Sequence, residues 1–334
     1  MINKEKLDEL RQKYGAEAGG FLKESNPEPA VAQSIGAMND VATLLDAPYR
    51  PEDRDMDIAL IGVPFDLGVT HRGGAKFGPR AIRDIGRIGP YNHRSQMNPF
   101  EKADIADIGD VPLGSRYNLE SGLKEIEFYY EGIAKAGIRP LTAGGDHSIT
   151  YPIMRALGKK EPLGMIHIDA HCDTCGPISD SRFHHGGPFR NAVLDGVLDP
   201  ARCIQIGIRG SADPYWEFSY DSGMTVLHIE DVTEMGIPAV IAKAREILGN
   251  GPTYVTFDID GLDPAYAPGT GTPEVGGLLP REAQELLIGM QGLNIVGGDL
   301  VEVAPNWDSN TTTAQAGAQM LFEILCLMAA DKAV

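Results

Sequence analysis

Asp169, His171 and Asp173 stand at alternate positions in the stretch His167-Ile168-Asp169-Ala170-His171-Cys172-Asp173-Thr174. In an extended segment alternate side chains point to one side, so two carboxylates and an imidazole would converge. Carboxylates that close repel each other unless a cation lies between them. The plain alternative, for this stretch alone, is a solvated turn whose Asp residues cap the next helix. Two further places weigh against it. Asp258 and Asp260 repeat the i, i+2 spacing, and His147 follows the sharp-turning pair Gly144-Gly145. Together these give four carboxylates and two imidazoles. Four ionised Asp are neutralised by two divalent ions, and two ions sharing bridging carboxylates use all six side chains. Buried Asp is otherwise rare. Oxygen-rich ligation with some imidazole suits Mn2+ better than a thiolate-seeking metal, with Ni2+, Co2+ and Fe2+ as further candidates. Two such ions generate a nucleophile from water near neutral pH.

Each candidate ligand group follows an apolar run that reads as a buried strand. Strands are expected at Met56–Val63, Ile138–Thr142, Pro162–Ile166, Arg202–Ile208, Met224–Ile229, Thr253–Phe257 and Leu293–Val303. Helices are expected from Pro79, over Glu120–Gly137, over 149–157, Ile237–Leu248 and Arg281–Gly289, and over roughly Thr311–Met328. This alternation predicts a parallel α/β sheet with its site at the strands' carboxyl ends. Residues 1–56 read as an N-terminal arm with two helical stretches, the second over about 31–45, and residues 57–334 as the catalytic domain.

The chain has 334 residues, 43% of them hydrophobic, enough for a large core. A formal net charge of −18 disfavours nucleic acid and anionic membranes as partners. The N-terminus lacks an apolar signal region, and no apolar run approaches the length that spans a bilayer, so a soluble cytoplasmic protein is expected. Four scattered cysteines make no disulfide framework. Cys172 and Cys175 form a C-x-x-C, but no second pair completes a zinc site. His71 and His93 fall in polar loops and read as rim or surface residues.

The segments GGDHS (144–148), DAHCD (169–173), DIDGLDP (258–264), APGTGTPE (267–274) and LVEV (300–303) resemble the ureohydrolases, the arginase and agmatinase family. The resemblance runs from about Met56 to the C-terminus in that family's motif order. It implies a three-layer α/β/α arginase-like fold with a central, mostly parallel sheet. It also implies a dimanganese site and a trimer or hexamer. By the motif match, His147, Asp169, Asp173 and Asp258 hold one ion, and Asp169, His171, Asp258 and Asp260 the other. FDLGVTHRGGAKFGPRAIR (65–83) resembles the agmatinase and guanidino-acid hydrolase branch. Cys172 replaces the Thr common in arginases, which weighs against arginine as substrate.

The resemblance implies hydrolysis of a guanidino group to urea and an amine. Glu302 is expected to hold the guanidinium, Asp260 to accept the proton of the attacking water, and His185 to protonate the leaving amine, with His184 its less suitable neighbour. FHHGGPFRNAV (183–193) and IRGSADPYWEF (208–218) look most like guanidino-acid hydrolases, so 3-guanidinopropionate or 4-guanidinobutanoate is the expected substrate. Arg209, Arg190, His93 and Arg94 are the basic candidates for its carboxylate. Agmatine, guanidine and a small substituted guanidine or biguanide are alternatives. Two other classes compete: a zinc deacetylase-like amide hydrolase, against which His147 and Asp173 argue, and a non-catalytic partner subunit, which would be expected to lack ligands.

Overall fold

The computed structural model describes residues 4–14, 41–86, 90–210 and 216–330. Residues 4–14 form a helix, α1 (Lys4–Tyr14). The rest of the arm up to residue 40, including most of the helical stretch expected over 31–45, lies outside the described residues. A separate compact unit spans Thr43–Gly86 and Pro90–Val334.

That unit is built on eight strands: β1 (Ile58–Gly62), β2 (Ile105–Asp110), β3 (Arg139–Ala143), β4 (Leu163–Ile168), β5 (Leu198–Ile208), β6 (Thr225–His228), β7 (Thr253–Asp258) and β8 (Ile295–Val301). They form one sheet in the order β2-β1-β3-β8-β7-β4-β5-β6, and every pairing is parallel. A parallel sheet needs crossover connections, and these lay helices on both faces. The strands show this directly. In β1, Ile58 and Leu60 enter one apolar cluster while Ala59 and Ile61 enter the other. The three-layer α/β/α arrangement follows.

The helices are α2 (Gly78–Ile85), α3 (Leu119–Ala136), α4 (Thr150–Leu157), α5 (Pro188–Leu194), α6 (Glu217–Ser222), α7 (Ile229–Met235), α8 (Ile237–Leu248), α9 (Pro280–Gly289) and α10 (Thr312–Ala330). In α3 the Asn118 side chain accepts from the Ser121 amide at 2.9 Å, satisfying an otherwise orphaned donor. Its Leu123, Ile126, Tyr130 and Ile133 fall on one buried stripe at helical spacing. Helix α10, at 19 residues, is long and apolar enough to cross a membrane, contrary to the sequence reading. It is instead a core helix: Met320 to Ala329 is a continuous buried run.

Four neighbouring strands at the middle of the sheet, β3, β8, β7 and β4, end level with one another. Ala143 pairs with Leu300, Asp258 with Val301, and Phe257 with Ile168. The residues just beyond these ends are therefore brought together at one edge of the sheet.

Candidate metal centre

The convergence does not come from extended segments, as the i, i+2 spacing predicts. Strand β4 ends at Ile168, and the chain bends at once. Asp173 is reached through a left-handed conformation, φ 52°. Asp258 closes β7 and caps a 3-10 turn, Ile259–Gly261, with its Oδ1 accepting from the Asp260 amide at 2.8 Å. Tight turns place these carboxylates, because a straight strand would carry Asp173 and Asp260 away from the sheet's edge. His147 opens another such turn, capped by Asp146. Gly145 permits the approach: a Cβ there would strike the Phe65 backbone.

The ligand groups lie close. His147 Nδ1 is 3.2, 2.9 and 3.3 Å from Oδ2 of Asp169, Asp173 and Asp258. His171 Nδ1 is 3.2 Å from Asp260 Oδ2 and 3.5 Å from Asp169 Oδ1. One ligand atom from each of Asp169, His171 and Asp260 lies within 4.8 Å of the others. All six predicted ligands thus meet, with Asp169 between the two imidazoles. All but His171 are buried, and His171 is partly so.

This set fits divalent cations. His147 Nε2 pairs with Thr256 Oγ1 at 2.8 Å, while its Nδ1 is buried with no hydrogen-bond partner and faces three carboxylates. Burial, with Asp260 and Asp169 nearby, pushes the Asp258 pKa well above the usual carboxylate range. Burial opposes charge on His147, but Asp169, Asp173 and Asp258 outweigh it and raise its pKa well above the imidazole range. Asp169 goes the other way: burial works against its charge, but His167, His147 and His171 outweigh it and hold its carboxyl well below the usual range. A buried cluster that puts protons on Asp258 and Asp260 and charge on His147 is one that calls for positive charge in its midst.

Glu302 stands just past β8 with φ 63°, a left-handed conformation that a non-glycine residue adopts at a cost of about 1–2 kcal/mol. Its Oε1 accepts from the His147 amide at 2.9 Å and pairs with His185 Nδ1 at 2.9 Å. Its Oε2 is buried and unpartnered. His185 Nε2 meets the Thr70 amide at 3.1 Å and Thr70 Oγ1 at 2.6 Å. Burial works against a charged His185, but Glu302 outweighs it and raises the pKa to about 9.

Other sequence candidates lie differently. Arg209 does not face a ligand carboxylate: its guanidinium is spent on backbone carbonyls, among them Asp260 at 2.6 Å and Glu274 at 2.8 Å. Exposed His93 and Arg94 sit on a turn tied through Asn92 to Glu323 of α10 and through Arg94 to Arg281 of α9. His184 Nε2 pairs with the Gly176 carbonyl at 2.9 Å. Arg190 stacks over Phe218 at 4.6 Å. Cys172 and Cys175 form no disulfide, and burial raises the Cys175 thiol to about 12, away from thiolate chemistry. Residues 211–215 of IRGSADPYWEF lie outside the described residues.

The sequence reading missed His167. Its Nε2 pairs with Asp169 Oδ2 at 2.7 Å, and Gln205 Nε2 donates to its Nδ1 at 3.0 Å. Gln205 Nε2 also donates to the Cys172 carbonyl, so the proton of His167 lies at Nε2 and is given to Asp169. The signal was present: His167 precedes Asp169 by two on strand β4, on the same face. Thr256, two before Asp258, carried the same signal. Asp146 was also passed over; its two oxygens accept from the amides of Gly68 and Ser148 and tie the loop bearing Thr70 to the turn bearing His147.

Comparison with known proteins agrees with this geometry. Residues 56–327 match the model of the Arginase family. A guanidinopropionase of Pseudomonas aeruginosa is 44% identical over 316 residues, 93% of this chain and 99% of that protein. A mitochondrial agmatinase of Gallus gallus is 44% identical over 305 residues, 90% of this chain and 89% of that protein. The solved structure of a proclavaminate amidino hydrolase from Streptomyces clavuligerus matches with a TM-score of 0.84 at 35% identity, covering 87% of this chain and 98% of that one. With the motifs, the sheet and the ligand cluster all in agreement, the chain belongs to the arginase family.

Proposed function

We propose that the protein hydrolyses the guanidino group of a guanidino acid, 3-guanidinopropionate or 4-guanidinobutanoate, to urea and an amine. The observation that carries this is Glu302 Oε2, a buried carboxylate oxygen without a partner beside the ligand cluster. A planar guanidinium N–H is its matching donor. The proposed ions are two Mn2+ per chain, with Ni2+ and Co2+ as competitors. His147, Asp169, Asp173 and Asp258 would hold one, and Asp169, His171, Asp258 and Asp260 the other. When bound, such ions supply Lewis acidity and make water a nucleophile near neutral pH.

The chain's own residues do the rest. Glu302 anchors and orients the guanidinium. Asp260 takes the proton of the attacking water at Oδ2, where Thr272 Oγ1 donates at 3.3 Å. His185 gives the leaving amine its proton. Its raised pKa rests on Glu302, so a cationic substrate on Glu302 lowers it and frees that proton. For the distal carboxylate, Arg190 is the favoured partner. It has no acidic partner among the described residues and lies against Gly176, in the loop after Asp173. One observation favours agmatine instead: Glu274, 3.8 Å from His171 Nε2 and partly exposed, would meet an ammonium. A trimer or hexamer is the proposed assembly.

Urea release across guanidino acids, agmatine, arginine, guanidine and biguanides, with Mn2+ or Ni2+ added, tests this. The guanidino acids should give the highest kcat/KM. Urea from none of these compounds would refute the reaction, and a preference for agmatine would move the substrate to the Glu274 reading.

A further inference from the structure

Arg209 and Gly210 lie where β5 ends, beside β4 in the sheet. Neither bears on the reacting atoms. Both amides donate to one acceptor, the carbonyl of Ala170, at 2.8 Å each. Ala170 is the residue between Asp169 and His171. The Arg209 guanidinium donates to the carbonyls of Gly207, Asp260, Gly261, Leu262 and Glu274, at distances from 2.6 to 3.4 Å. It therefore links the end of β5 to the turn carrying Asp260 and to the loop carrying Thr272 and Glu274. Gly210 fits against the His171 ring: a Cβ there would strike Cδ2 and lie 2.8 Å from Nε2.

We infer that Arg209 and Gly210 are positioning residues for His171 and Asp260, the two ligands that only one of the proposed ions uses. The two ligands that only the other ion uses, His147 and Asp173, do not lean on them, nor does the shared Asp258. His147 is set by Thr256 and the edge of Phe189, Asp173 by its own left-handed turn, and Asp258 by the close of β7. The Arg209 side chain makes no hydrogen bond to any of those three residues. Five carbonyls on several segments suit the five N–H groups of a guanidinium, whereas a lysine ammonium has three donors at one point. Loosening the clamp should thus release one ion selectively. The inference rests on the two-ion reading proposed above.

The test is Mn2+ binding by equilibrium dialysis with elemental analysis, on the whole chain and on Arg209→Lys and Gly210→Ala. Wild type should bind two ions per chain. Each variant should keep one at wild-type affinity and bind the second about 10- to 100-fold more weakly, the usual scale for losing outer support of metal ligands. Far-ultraviolet circular dichroism controls for folding; if Arg209→Lys fails to fold, Gly210→Ala alone decides. Two ions at wild-type affinity, or equal weakening of both, overturns the inference. A wild-type chain that binds one ion overturns the two-ion reading, and the inference with it, before any variant is compared.

Discussion

Glu302→Gln separates anchoring from metal binding. The substitution keeps side-chain length and leaves the left-handed backbone no worse off. Gln Oε1 can still accept from the His147 amide and His185 Nδ1, which hold Glu302 Oε1 at 2.9 Å each. What changes is the free position: an amide NH2 now stands where Oε2 faced the substrate. A hydrogen bond to a charged group contributes about 1.5–3 kcal/mol. At about 1.4 kcal/mol per tenfold, its loss alone lowers kcat/KM by about 10- to 150-fold. Two donors then point at each other, which leaves the loss at about a hundredfold or more. Metal content should be unchanged, because Glu302 contacts the ligand His147 only at its backbone amide. Urea release under initial-rate conditions, with elemental analysis of the same sample, reads both quantities. A kcat/KM within about threefold of wild type, with metal retained, would refute the anchoring argument.

Asp260→Asn should fold, lose most turnover and lose part of its metal, since an amide oxygen carries no charge to balance a cation; near-normal turnover would remove Asp260 from the mechanism. His185→Ala should slow turnover strongly while metal content holds, because no predicted ligand pairs with its ring. A drop in metal content as large as that in rate would make it a structural residue. Chelation should lower the melting temperature of the intact chain, and added Mn2+ should restore it, because burial, with the neighbouring carboxylates, pushes both Asp258 and Asp260 up in pKa. A melting temperature indifferent to chelator would show that the cluster does not depend on metal.

Much of this was legible in the residues. Helix α8 occupies Ile237–Leu248 as its apolar spacing predicts, because the pattern is long and bounded by glycines. The convergence of the six candidate ligands was legible, since buried carboxylates at several strand ends have few other uses. Their geometry was not. Alternation implied a straight strand, whereas Asp173 and Asp260 depend on turns set by contacts distant in sequence. Edge strand β2 was missed because Ile105-Ala106-Asp107-Ile108-Gly109-Asp110 carries two Asp and a Gly. Asp107 is tolerated there because Arg83, from α2, pairs with it at 2.9 Å. Arg209 looked like a ligand-binding cation because charge is visible in a sequence and backbone carbonyls are not.

The left-handed backbones of Glu302 and Asp173 also bear on how this chain responds to selection. Glycine at either place would relieve about 1 kcal/mol of strain, but at Glu302 it would leave the His147 amide and His185 Nδ1 buried without their acceptor, at about 1–3 kcal/mol each. Heat tolerance alone would therefore keep the carboxylate at Glu302 despite its strained backbone. A library screened for melting temperature without a turnover screen should retain Glu302 and exclude glycine there, so the strained backbone would persist without any selection for activity.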